Sequence, residues 1–422
     1  MQTFKKRIVI IGGGFAGINL AKNLSGDKYY DVTLIDKNNY YFFPPLIYQV
    51  ATGFLETSSV SYPFRHILRG KKNINFRLGE LLRVDPVLHT CYLLDGEIKY
   101  DYLVFATGAE SNYFGMENVR KNAIPMKTID DALNMRNKLL QTMERACLTE
   151  DRVERKRLMT IVVAGGGPTG VEISGMLAEL RKNILKKDYP ELTDSDGCIY
   201  IVDPKSALLS TMSQKSQKDT FKALHKRGVK IVLNENVKDF SEGEVILSKG
   251  QKIKSGTLIW TAGISAKVFE GIPLASLGAG RRMLVDEYNK VIGVEDIYAI
   301  GDACLQKSDP KFLSGHPQLA QVAIQQGKSL AINFSAKAAD KSLLPFKYFD
   351  KGVMAIIGRN RAVVDLPLLR LHFNGLLALF MWLFIHLMGL VNYRNKLRTF
   401  YNWAIAYFTS DQSLRMIIRP LK

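Results

Sequence analysis

Short apolar, β-branched runs lead directly into glycine clusters at two places in the chain. Ile8 to Ile11 runs into Gly12-Gly13-Gly14-Phe15-Ala16-Gly17, and Ile161 to Ala164 runs into Gly165-Gly166-Gly167-Pro168-Thr169-Gly170. Each pattern predicts a buried strand, a tight turn and a helix. Second strands follow at Val32 to Asp36 and Ile199 to Asp203, and a third kind of strand ends at Ala299-Ile300-Gly301-Asp302. Between the two glycine turns, Leu133, Leu140, Met143 and Cys147 fall at helical spacing, which predicts a helical connector from Asp130 to about Arg157. Near the end, Phe373 to Val391 is apolar at almost every position.

The glycine spacing suits a pyrophosphate. Gly12 and Gly165 make the tight turn, Gly14 and Gly167 let backbone approach phosphates, and Gly17 and Gly170 let helix and strand pack closely. The helix N-terminus then holds the anion. Each second strand ends in an acid, Asp36 or Asp203, as a ribose 2'-hydroxyl requires. The duplication extends further: Gly108 of Ala106-Thr107-Gly108 lies 96 residues past Gly12, and Gly263 of Thr261-Ala262-Gly263 lies 98 past Gly165. One unit is used twice, and two dinucleotides are implied. One such turn alone could be an ordinary strand-helix connection; the ordered pair, with acids and second markers, argues against that reading.

The order glycine turn, Ala-Thr-Gly, second glycine turn, Ala-Ile-Gly-Asp resembles the flavoprotein disulfide-reductase-like enzymes. That resemblance implies an α/β fold with two Rossmann-like, glutathione-reductase-like domains. In it the first and last elements bind FAD without a covalent bond and the middle unit binds NADH. It assigns FAD to Gly12, Gly14, Phe15, Ala16, Gly17, Asp36, Ala106, Thr107, Gly108, Gly301 and Asp302, and NADH to Gly165, Gly167, Pro168, Thr169, Gly170, Asp203, Ala262 and Gly263. The four cysteines, Cys91, Cys147, Cys198 and Cys304, form no closely spaced pair. No redox dithiol is therefore expected, and isolated buried thiols are the default.

Two further stretches, Tyr40 to Gly53 and Ala320-Gln321-Val322-Ala323-Ile324-Gln325, resemble type II NADH:quinone oxidoreductases. By that resemblance Ala320 and Gln321 open a helix whose first amides face the flavin, and Gln321 and Gln325 line a quinone pocket with Tyr48 and Gln49. A helix N-terminus suits a ring that gains negative charge on reduction. Glu172 matches the position that borders the nicotinamide; read from the residues alone, it could equally be a glutamate complementing the helix dipole. No metal site is read.

Charge changes the picture of the partner. Lys and Arg number 58 against 40 acids, a net charge of +18, so an anionic partner is expected, nucleic acid or membrane surface. The chain has no long basic tail, whereas aromatic Phe373, Phe380, Trp382 and Phe384 lie in the apolar run. Arg394, Lys396 and Arg398 follow, then the amphipathic stretch Phe400 to Phe408 and Arg415, Arg419 and Lys422, with Asp411 as the single acid after Val391. This favours an interfacial anchor and no nucleic acid. The 19-residue run could also span a bilayer, which needs about 20 residues, but Asn374, His386 and Gly389 interrupt it. Burial in a dimer core is the remaining alternative.

The expected organisation is 1–118 for the first FAD part, 119–265 for the NADH domain with its connector, 266–345 for the second FAD part with the quinone helix, and 346–422 for the anchoring region. The expected activity is NADH oxidation through FAD with reduction of a membrane quinone and no proton pumping, by a homodimer. It would lie peripherally on the cytoplasmic side of the inner membrane. A flavin-binding protein of the apoptosis-inducing type and a ferredoxin-type reductase are the alternatives. Asp203 should prefer NADH, since it would repel a 2'-phosphate.

Overall fold

Residues 5–193, 195–409 and 416–418 are described by the structure, a computed structural model, with side chains for all of these except 183–186 and 406–409. Asp411, Arg415, Arg419 and Lys422 lie outside the described residues. The chain divides into two compact units, each gathered from three segments. One comprises Met1–Phe42, Tyr62–Glu110 and Ile264–Asp350; the other comprises Phe43–Ser61, Ser111–Gly263 and Lys351–Lys422. Phe43–Ser61 and the C-terminal region thus belong to the unit that contains the second glycine turn.

The first unit is built on a five-stranded parallel sheet in the order Ile297–Ala299, Tyr102–Phe105, Lys6–Ile11, Tyr30–Asp36, Ile74–Leu78. Its strands read as nearly continuous apolar runs because both faces are covered. Val9, Ile11, Leu103, Phe105, Ile297 and Ala299 are buried in one cluster with Tyr100 and Phe269. Against this sheet stands a three-stranded antiparallel meander, Leu81–Asp85, Thr90–Leu93 and Gly96–Lys99.

The second unit repeats the plan. Its parallel sheet runs Ile124–Pro125, Thr257–Trp260, Ile161–Ala164, Ile199–Asp203, Val229–Leu233, and a three-stranded meander again precedes the strand bearing the second marker. In both sheets the glycine turn leaves the central strand and the acid ends its neighbour. The connector is two helices, Ile129–Leu148 and Arg152–Leu158, where one was expected. Asp151 interrupts it by accepting from Val153 N–H at 2.8 Å, which starts a new helix.

The C-terminal part of this unit is an antiparallel sheet, Val353–Ile356, Ala362–Leu366 and Leu371–Asn374, followed by helices Gly375–Gly389 and Tyr393–Thr409. The apolar run is therefore not all helix. Its first residues, Phe373 and Asn374, finish a strand, and Gly375 turns the chain with φ +70°. Among the described residues no helix is long and apolar enough to cross a membrane.

Candidate functional site

In the first turn, backbone and ring atoms leave room for no side chain at three glycines. A Cβ at Gly12, where φ is +101°, would strike Ala106 carbonyl; at Gly13 it would strike the Phe64 ring, and at Gly17 the Gly12 carbonyl. Gly14 differs, because nothing lies within 4 Å of its Cβ position. The space faces the start of the Phe15–Asn23 helix, where a pyrophosphate needs it. Asp36 accepts from Gly13 N–H at 2.7 Å and from Asn38 N–H at 2.8 Å. Burial holds its carboxyl above the usual carboxylate range, only partly opposed by these two amide bonds.

Thr107 and Gly108 complete this side. The Thr107 hydroxyl is buried without a hydrogen-bond partner, and Gly108, at φ +68°, is open on its Cβ side. A buried orphan hydroxyl beside an unfilled turn is what a bound dinucleotide would satisfy. Gly301, at φ +71°, sits against Ala16 and Ala323, and Asp302 follows in a single turn whose carbonyl accepts from Gln318 Nε2 at 3.1 Å.

The second turn is constructed in the same way. Gly165, at φ +109°, is closed off by Thr261, Gly170 by the Gly165 carbonyl, Gly166 by Leu208 and Asp203, and Gly167 alone faces open space. Asp203 accepts from Gly166 N–H at 2.5 Å and from Lys205 N–H at 2.7 Å. Thr261, the first residue of the second marker but given no role there, donates its hydroxyl to Ala164 carbonyl at 2.7 Å and holds the marker strand to the turn. Pro168 and Thr169 begin the helix, and Gly263 lies under the Phe114 ring, a residue held at φ +51°. Ala262 packs at the margin of the core.

Glu172 is not a dipole-complementing first-turn acid. It is 8 % exposed, one turn into the Pro168–Asp188 helix, and accepts from Ile356 N–H at 3.4 Å. Glu179, two turns on, accepts from Arg359 N–H at 2.7 Å. Between them Gly175 has no room for a Cβ against Ile357 carbonyl. This stripe of one helix reads the backbone of the Val353–Leu366 hairpin. Burial pushes the Glu172 carboxyl up to about 8, opposed by Ile356 N–H and by the Trp382 indole. That indole N–H makes no bond of normal geometry; burial is what decides the balance, and Glu172 is mostly protonated at neutral pH.

Tyr48 and Gln49 lie in the same unit and are buried. Gln49 Nε2 donates to the Tyr48 hydroxyl at 3.0 Å, and Trp403 Nε1 donates to Gln49 Oε1 at 2.7 Å. Burial first, and then the Glu172 carboxylate once it has ionised at high pH, raise the Tyr48 phenol well above its ordinary value. Trp382 closes on Tyr48 edge-on at 6.5 Å and stacks on His386 at 3.8 Å. His386 Nδ1 bonds Trp382 carbonyl at 2.7 Å, and burial pushes its imidazole down to about 4, so it is neutral. Trp382, one of the aromatics expected of an interfacial anchor, is fully buried, and Trp403, in the stretch expected to be amphipathic, is half-buried against Gln49.

The Ala320–Ala338 helix of the first unit begins with no capping side chain and no acid in its first turn. Its amide end can therefore serve a ligand. Gln321 is half-buried. Gln325 shares its face, but its amide is committed to Phe349, donating to the carbonyl at 2.9 Å and accepting from the N–H at 3.0 Å. Gln326, absent from the sequence reading, is the buried member: its Oε1 accepts from Gly301 N–H at 2.7 Å. Of the four cysteines, Cys91 and Cys304 are buried, while Cys147 and Cys198 are half-buried, contrary to the expectation for all four.

The last helix is inside-out. Asn395 Nδ2 donates to Ser61 carbonyl at 3.0 Å, and Thr399 is wholly buried against Ser59, while Tyr393, Leu397, Phe400 and Tyr401 face outward. The preceding helix buries Ala378, Leu379 and Trp382 and exposes Leu377, Phe380, Phe384 and Met388.

Two family models match the chain: pyridine nucleotide-disulphide oxidoreductase over residues 6–327 and NDH2 C-terminal domain over residues 351–412. A Mycobacterium tuberculosis protein named type II NADH:quinone oxidoreductase NdhA is 35 % identical, over 96 % of this chain and 87 % of its own. An Arabidopsis thaliana internal alternative NAD(P)H-ubiquinone oxidoreductase is 31 % identical, over 96 % and 84 %. The solved structure of Plasmodium falciparum NDH2 in complex with NADH superposes with a TM-score of 0.89 at 24 % identity, over 99 % of this chain and all of that one. At that identity the superposition speaks for the fold.

Proposed function

The chain belongs to the type II NADH:quinone oxidoreductases, and we propose from that premise how its own residues divide the work. The enzyme oxidises NADH through FAD and reduces a quinone. When bound, FAD supplies the two-electron carrier between the two substrates. The observation that carries the assignment is the matched pair of turns, each with one open glycine, Gly14 or Gly167, and one acid fastened to the adjacent N–H.

Gly12, Gly14, Phe15, Ala16 and Gly17 cradle the FAD pyrophosphate, Asp36 accepts from its ribose, and Ala106, Thr107, Gly108, Gly301 and Asp302 close over the remainder. Gly165, Gly167, Pro168, Thr169 and Gly170 take the NADH pyrophosphate, Asp203 its ribose, and Ala262 and Gly263 the nicotinamide side. Glu172, held by Ile356 N–H and mostly protonated at neutral pH, offers the nicotinamide a neutral carboxyl in place of a charge. Ala320 and Gln321 present their amides to the flavin. Gln321 and Gln325 in the first unit, and Tyr48 and Gln49 in the second, are each assigned to the quinone; Gln325 has only one remaining N–H and lone pair to offer it.

The outward apolar faces of the two C-terminal helices support attachment to a lipid surface. A helix that turns Asn395 and Thr399 inward and Phe400 and Tyr401 outward is suited to an apolar medium on its outer side. The same reading includes a homodimer and the cytoplasmic face of the inner membrane, with no pumping of protons.

The test is steady-state NADH oxidation with several quinones, joined to vesicle flotation of a Phe380→Ser/Phe384→Ser/Phe400→Ser variant. Removing everything after Asp365 would also strip Trp382 from Glu172, so point changes isolate the surface. The expected result is full turnover with a short-chain quinone, loss of flotation, and a fall with long-tailed quinones. Salt-sensitive DNA binding with no quinone turnover would instead favour the apoptosis-inducing alternative. Light scattering in detergent tests the dimer.

A further inference from the structure

Beneath the Asp302 turn, three buried groups close a ring of hydrogen bonds. Gly301 N–H donates to Gln326 Oε1 at 2.7 Å, Gln326 Nε2 donates to Cys304 Sγ at 3.3 Å, and the Cys304 thiol reaches Gly301 carbonyl at 3.3 Å, with Gln326 Oε1, already occupied by Gly301 N–H, as its second acceptor at 3.4 Å. The Gly301 amide needs an acceptor, which fixes the orientation of the Gln326 side chain. Each member both gives and receives, so the bonds reinforce one another in a site from which water is excluded. Gln326 is 1 % exposed and Cys304 is 1 % exposed.

The ring requires a protonated thiol. Burial pushes the Cys304 thiol up to about 11, only partly opposed by Arg282 and Gln326, so it keeps its proton. Arg282 also binds the Cys304 carbonyl through Nε at 2.6 Å, and Asn289 Nδ2 lies 3.9 Å from the sulfur. Gly301 is thereby held at both its N–H and its C=O in a left-handed conformation, φ +71°. It cannot drift, and Asp302 is the next residue. Gln326 stands on the helix that begins at Ala320, one residue before Gly327, where a Cβ would strike Ala16 carbonyl. The Ala320 helix, the Phe15 helix and the Asp302 turn are therefore locked at one point.

We propose that Gln326 and Cys304 are positioning residues for the flavin, acting through Gly301 to fix Asp302 and the amide end of the Ala320 helix. The inference rests on the assignment of Asp302 and Gln321 to FAD. It gives Cys304 a role no dithiol chemistry would: a buried hydrogen-bond donor that keeps its proton.

The experiment follows FAD release from full-length, detergent-purified holoenzyme on dilution, by the recovery of flavin fluorescence, together with the visible flavin absorption band. Gln326→Leu should accelerate release on the order of tenfold, the scale of one or two buried hydrogen bonds, and shift the band. Cys304→Ala should do so less, because the Gln326–Gly301 bond survives, and Cys304→Ser should restore most of the retention, since a hydroxyl can both donate and accept. Gln326→Glu should hold FAD in acid, where its carboxyl can donate to the sulfur, and lose it as pH rises. A purely packing role would give no such pH dependence and no rescue by serine. Wild-type retention of FAD with unchanged release and spectrum in Gln326→Leu overturns the inference; failure of the wild type to hold FAD at all would instead overturn the assignment beneath it. Equal loss in Cys304→Ala and Cys304→Ser also overturns it.

Discussion

The two glycine turns are near copies, yet the helices behind them differ. The first is nine residues long, carries no acid along its length, and is backed by small residues, with Ala16 close against Gly301 and Gly327. The second is 21 residues long and carries Glu172 and Glu179, each bound to a backbone N–H of a hairpin from the far end of the chain. Both turns can take a pyrophosphate, but only the second has a buried carboxyl within a turn of it. The contrast shows where binding ends and tuning begins: the turn itself is generic, and what stands behind it is not.

The largest effects should come from exchanging glycines for alanine at the two positive-φ positions. Gly12→Ala should yield protein purified without FAD, judged by its visible spectrum, because the new methyl strikes Ala106 carbonyl. Gly165→Ala should keep FAD and raise the KM for NADH by roughly a hundredfold, about 2.7 kcal/mol. If each variant lost both ligands, the two turns would not be independent. Next in size, Asp203→Asn should raise kcat/KM for NADPH relative to NADH by roughly tenfold, while Asp36→Asn leaves that ratio alone. An unmoved ratio in Asp203→Asn would remove the acid from ribose recognition.

Glu172→Gln sharpens the contrast at smaller scale. Flavin reduction by NADH in stopped flow should slow several-fold with FAD still bound; unchanged kinetics would leave Glu172 a purely structural carboxyl. Its raised value also predicts a pH dependence of stability. A carboxyl held near 8 in the folded chain and near 4.3 when unfolded binds its proton more tightly in the native state, so its contribution is complete below the unfolded value and is lost as pH rises toward about 8. The melting temperature of the wild type should therefore fall between pH 5 and pH 8, in the usual range of such titrations, more than that of Glu172→Gln. Smallest, Gln325→Ala should raise the quinone KM only a few-fold and loosen Phe349, since its amide is already engaged there.

Much of this was legible from residue order because local rules govern it. Apolar β-branched runs before Gly12 and Gly165 give strands, and Asp36 and Asp203 end the neighbours that lie beside them. What escaped depends on partners distant in sequence. Nothing near Glu172 announces Ile356, and nothing near Gln49 announces Trp403. The apolar run from Phe373 reads as one helix until Gly375 adopts φ +70°, a backbone state that hydrophobicity does not encode. Polar Asn395 and Thr399 look like surface residues in any pattern that assumes water outside. Gln326 hid behind its neighbour Gln325, since only the rotation of the helix decides which of two adjacent glutamines is buried.

The strand order of the first sheet bears on how the molecule matures. Ile297–Ala299 completes it beside Tyr102–Phe105, although the entire second sheet, from Ile124 to Trp260, lies between them along the chain. During synthesis the Tyr102 strand must wait as an unprotected edge until that late strand emerges, whereas the second sheet has all five of its strands in one uninterrupted stretch. Long-range closure of this kind is slow and leaves a sticky edge in the interim. Of the two parallel sheets, the one begun first is thus the one completed later, and it is this nascent edge that a ribosome-bound chaperone would have to shield.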